Sequence, residues 1–177
     1  MNLAGSYTGA TVLPWLVLFV SCATWLPAQS TNSKEGLAIV EIGGAPSVSL
    51  TGSGASISPT VAVEVTPIEN WLELELGTTP TFSRSSTEWV TDLLFKKPWT
   101  LSKKVELMIG VGPEWIHTRN NRGRTNAIGG EAAVDFMFWP GAKRRFGWYL
   151  EPAYERQFGS GREASLSISG GLLISIP

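Results

Sequence analysis

The side chains best suited to chemistry in this chain are carboxylates, and they come in alternation. Residues 71–76 read Trp71-Leu72-Glu73-Leu74-Glu75-Leu76. Even spacing recurs in the pairs Glu106 and Glu114, Glu131 and Asp135, and Glu151 and Glu155. Residues an even number apart share one face of a β-strand. Carboxylates gathered on such a face can attract cations and repel anions, or exchange protons with a partner base. His117 is the only histidine, and Glu114 is close to it in sequence. Three residues apart on a strand means opposite faces, so the two do not form an acid–base pair. One histidine without a neighbouring cysteine is a poor metal site. Gly110-Val111-Gly112 lacks the third glycine and the following helix of a nucleotide loop. No catalytic residue, cofactor or metal is expected. Arg119, Arg122 and Arg124 make a basic loop. It reads either as a solvated loop or as a site for the phosphates of lipopolysaccharide.

These residues need strands to position them. The chain has 177 residues and a formal net charge of −1, enough for one domain and no electrostatic case for nucleic acid. Its one cysteine, Cys22, excludes an intrachain disulfide. The first 28 residues contain no Asp, Glu, Lys or Arg. Within them Val12–Ala23 is apolar, has the length of a signal-peptide core and is interrupted by Pro14. Residues 1–28 are therefore expected to be a signal peptide, cleaved after Ala23 or after Ala28. Phe19-Val20-Ser21 before Cys22 matches a lipidation motif poorly. Residues 29–36 read as a linker, and 37–177 as the folded domain.

From Leu37 onward, eight segments show period-two patterning separated by turn residues: 37–50, 55–66, 71–82, 87–96, 104–117, 127–139, 145–157 and 163–176. Most are ten residues or longer, which suits tilted membrane strands better than soluble ones. One face carries Val61, Val63, Leu107, Ile109, Val134, Trp148, Leu150 and Leu172. The other carries most of the acidic residues: Glu41, Glu64, Glu73, Glu75, Glu88, Asp92, Glu106, Glu114, Glu131, Asp135, Glu151 and Glu155. Tryptophans cluster toward the strand ends, with Trp71, Trp99 and Trp148 at one end and Trp89 and Trp115 at the other. Such girdles suit two membrane interfaces. The fold expected is all-β: an eight-stranded antiparallel up-and-down transmembrane barrel. Pro152, inside the seventh strand, predicts a bulge.

In that barrel the lumen carboxylates include Glu75, Asp92, Glu106, Glu131, Asp135 and Glu151. Lys96 and Lys104 are inward bases toward one end. Carboxylates packed together must be hydrated, protonated, or paired with arginines folding in from loops. A plugged, hydrated interior follows, with at most a narrow, cation-preferring leak. The competing reading is a secreted, soluble, lipocalin-like barrel binding an apolar ligand, which would need an apolar interior.

At residues 96–115 (KKPWTLSKKVELMIGVGPEW) and 145–159 (RFGWYLEPAYERQFG) the chain resembles small bacterial outer-membrane β-barrel proteins of the porin-like superfamily. The resemblance implies a monomeric barrel in the outer membrane of a Gram-negative cell, exported through the periplasm, with a periplasmic N-terminus. Its implied partners are outer-membrane lipid, including lipopolysaccharide, and the barrel-assembly machinery. The implied role is structural or surface-interacting, without enzymatic activity.

Overall fold

The computed structural model describes residues 38–52, 54–121, 123–159 and 163–176. The proposed signal peptide, its two cleavage sites, Cys22 and the linker lie outside them. Eight strands follow one another: β1 (Ala38–Ser49), β2 (Ala55–Ile68), β3 (Leu72–Phe82), β4 (Ser86–Ser102), β5 (Val105–Asn120), β6 (Gly123–Phe138), β7 (Phe146–Phe158) and β8 (Ala164–Ile176). Each pairs antiparallel with the next, and β8 closes on β1 to form a barrel. Closure satisfies both edges of every strand, which an open sheet cannot do in lipid.

The alternation in sequence becomes the two surfaces of the barrel. Ile57, Val61, Val63, Leu76, Ile109, Val111, Trp148, Leu150, Ile168 and Leu172 are exposed on the outside. Trp71, Trp89, Trp115 and Trp148 are exposed as well, while Trp99 is half-buried. Glu73 and Glu75 point into the barrel, so the leucines between them face out. Two apolar residues break the expected pattern. Leu94 and Leu173 each stand beside an outward leucine and are fully buried inside.

The strands run from 11 to 17 residues, enough for the roughly 9–11 a bilayer requires. Three strand ends differ from the sequence expectation. Residues 97–102, read as a connection, continue β4. Pro98 is tolerated there because the β3–β4 ladder ends at Lys96, so its missing N–H deprives no partner on that side. Within residues 119–126, read as a loop, 119–120 belong instead to the end of β5 and 123–126 to the start of β6, where Arg119 pairs with Arg124 across a tight hairpin. Gly123 carries the positive φ of +139° that this reversal needs.

The bulge expected at Pro152 is absent. The β6–β7 ladder opens between Ala133↔Ala153 and Phe136↔Leu150 and resumes in the same register. Pro113 does the same to the β4–β5 ladder, and Pro46 to the β1–β8 ladder. Losing one hydrogen bond leaves the side-chain faces unchanged, whereas a bulge would have inserted an unpaired residue.

Candidate functional site in the barrel lumen

The lumen has a floor, a charged centre and an open cavity. The floor lies at the end where β6 turns into β7. Met108, Met137, Trp139, Tyr149 and Leu173 form a buried apolar cluster there, with Ile39 packed against it. Trp139 turns inward just past β6, and its backbone N–H donates to Lys104 O at 2.7 Å. Its indole Nε1 donates to Glu106 Oε2 at 3.0 Å. Gly147 makes the space: a Cβ there would lie 2.9 Å from Trp139 Cε3. Arg144 folds in from the β6–β7 turn and pairs with Glu106, the kind of loop arginine the buried carboxylates required.

Above the floor stands Lys96, with no side-chain exposure. The sequence reading placed it toward one end; the extension of β4 to Ser102 puts it inside the strand instead. Its Nζ donates to Glu75 Oε2, to Glu151 Oε2 at 2.5 Å and to Asp135 Oδ2 at 3.4 Å. Ser169 donates to the other oxygen of Glu151 at 3.2 Å. Gly110, the cross-strand partner of Lys96, leaves the room, since a Cβ there would come within 2.6 Å of Lys96 Cγ. Inward glycines thus admit larger lumen side chains. Lys104, the other expected inward base, is exposed at the β4–β5 turn.

Glu41, Glu64 and Glu73 are also buried. Glu41 and Glu64 join the centre although the sequence did not single them out. Carboxylate oxygens of Glu41, Glu64, Glu75 and Asp135 all lie within 4.8 Å of one another. These residues come from β1, β2, β3 and β6, so only the register of the closed sheet brings them together.

Toward the opposite end the lumen widens into a cavity of about 320 Å³. Asp92, Glu114, Glu131 and Glu155 line one side, and Ser47, Ser58, Thr60, Thr79 and Ser167 line another. Asp92 and Glu131 line this cavity together with Glu75 and Glu151, the partners of Lys96. Hydroxyls satisfy part of the charge: Ser165 and Ser167 donate to the two oxygens of Glu155 at 2.7 and 2.6 Å. Thr118 donates to Glu88 at 3.0 Å. His117 is hydrogen-bonded through Nδ1 to Asn126 Oδ1 at 2.6 Å, while Glu114 is buried among the cavity residues. Arg119 and Arg124 are exposed at the rim of the β5–β6 hairpin, and Arg122 lies outside the described residues.

The arrangement can hold positive charge inside and present positive charge at one rim.

No protein-family model matches the chain, and no curated protein matches it in sequence. Solved structures do match in fold. Neisserial surface protein A aligns with a TM-score of 0.62 at 11% identity, covering 78% of this chain and 96% of that one. The N-terminal β-barrel domain of Pseudomonas aeruginosa OprF aligns with a TM-score of 0.58 at 12% identity, covering 79% and 98%. At that identity the similarity is one of fold: the chain has the eight-stranded architecture of small bacterial outer-membrane barrels.

Proposed function

We propose that the protein is a plugged outer-membrane barrel whose work is structural and at the cell surface. It is neither an enzyme nor a diffusion pore. The observation that supports this is the combination of an apolar outer belt with an interior into which Trp139, Leu173 and the Arg144–Glu106 pair are packed. A soluble ligand-binding barrel would reverse that polarity, with an apolar interior and a polar exterior. In this reading the end bearing Arg84, Arg119 and Arg124 faces outward. Arg84, Ser86, Thr87 and Arg119 line a small polar groove there. Arginines beside hydroxyls suit the phosphates of lipopolysaccharide. Replacing Arg119 and Arg124 by Ala should weaken binding of lipopolysaccharide to the purified barrel, and unchanged binding would remove that partner.

Planar-bilayer recording of the purified barrel tests the plug. The proposal expects silence or a small, cation-preferring leak, because the carboxylates above the floor repel anions. A large, stable conductance with anion preference would overturn it.

A further inference from the structure

We propose that the lumen holds a divalent-cation site, built by Glu41, Glu64, Glu75 and Asp135. Each is at most 3% exposed, and each offers an oxygen within 4.8 Å of the others. A carboxylate cluster alone would not require an ion. The decisive feature is Glu64, which is 1% exposed and is reached by no hydrogen-bond donor on either carboxylate oxygen, its near neighbour Glu73 being a second carboxylate that adds negative charge. Glu41 Oε1 and Asp135 Oδ1 are likewise buried without a partner. Buried polar atoms are normally satisfied, and charged ones strongly so.

Lys96 does not fill this need. It takes Oδ2 of Asp135, leaving Oδ1, and reaches neither Glu41 nor Glu64 with a hydrogen bond. One ammonium stands among Glu41, Glu64, Glu75, Asp135 and Glu151, so a second positive charge is what the group lacks. An all-carboxylate donor set selects a hard cation. Calcium–oxygen distances of about 2.3–2.6 Å put opposite ligands roughly 4.6–5.2 Å apart, so a group whose oxygens all lie within 4.8 Å of one another is close enough to share one such ion. Glu41 and Glu75 also line the cavity, which gives an ion a route in from the open end. The site is interior and does not depend on the proposed surface role.

Equilibrium dialysis of the chelator-treated, folded barrel against radioactive calcium at neutral pH tests the site. The expected result is one calcium per barrel. Binding should weaken at least tenfold in Glu64→Gln and persist in Glu88→Gln, a change at the cavity wall. Calcium should also raise the thermal transition of the wild type and not that of Glu64→Gln. Should Glu64→Gln fail to fold, manganese binding to the wild type, read by electron paramagnetic resonance, decides instead: a bound signal saturating at one per barrel supports the site. Wild type without stoichiometric calcium or manganese would overturn it. So would a folded Glu64→Gln that binds calcium as the wild type does.

Discussion

Replacing Lys96 by Met should be the most damaging conservative change in the lumen. The ammonium is wholly buried, and its partners Glu75, Asp135 and Glu151 have side-chain exposures of 4%, 0% and 9%. Met keeps most of the volume over Gly110 but removes the charge. Three carboxylates then lose their common partner where water replaces it poorly. Breaking a buried ion pair from one side costs about 3–5 kcal/mol, because the orphaned charge remains buried. The folded-to-unfolded ratio should therefore fall more than a hundredfold in equilibrium unfolding by urea or guanidinium in lipid vesicles. A chelator should be present, so that no bound cation offsets the lost charge. Lys97→Met is the internal control. Lys97 bonds Asn70 O at 2.8 Å from an exposed position, 6.0 Å from the Trp71 ring, and its loss should cost under about 1 kcal/mol. Adding Glu75→Gln and Glu151→Gln to Lys96→Met should recover much of the loss. The reasoning fails if Lys96→Met is as stable as the wild type, or if the two added amides recover nothing.

Other outcomes follow from the same geometry. Leu172→Lys should cost about 2–4 kcal/mol in the same unfolding assay if it sits near the bilayer midplane, whereas Ser47→Lys, placed among the cavity carboxylates, should cost much less. Equal costs would refute the assignment of faces. Gly112→Ala should destabilise the barrel by about 1–3 kcal/mol, since its Cβ would lie 1.9 Å from Leu93 O; an unchanged unfolding midpoint would show that the two strands separate freely. With Cys22 replaced, a cysteine introduced at Asn121 should label in intact cells and one at Ala142 should not. The opposite pattern would reverse the proposed orientation.

Period-two alternation is a local property, and the faces of the strands were legible from it. Glu73 and Glu75 point in, and Ile109 and Leu172 point out, because neighbours along a strand must alternate. Leu94 and Leu173 follow the same alternation, being even-spaced with Asp92 and Gly171; what the pattern of types did not show is that apolar side chains would stand among the lumen carboxylates. Strand ends were misread where Pro98 and the arginines of the β5–β6 hairpin look like loop residues. Pro98 pairs on its β5 side only, the β3 ladder having ended, and the arginines extend a paired hairpin, so neither breaks the sheet. The candidate site was the least legible part. Glu41, Glu64, Glu75 and Asp135 come from four strands, and their meeting depends on register and closure around the whole barrel. The same holds for Trp139, whose inward turn requires Gly147 on the neighbouring strand. No spacing within one segment encodes those meetings.

The central claim is that this closed sheet faces lipid with its apolar side and encloses its carboxylates. Single cysteines along β2, labelled with a small fluorophore in a Cys22-replaced barrel and challenged with nitroxide-bearing lipid, test it most directly. Val61→Cys and Val63→Cys should be strongly quenched, while Ser58→Cys and Thr60→Cys, which line the cavity, should be quenched little. Uniformly weak quenching, with the protein remaining in the aqueous phase, would contradict the membrane barrel, and the opposite alternation would turn it inside out.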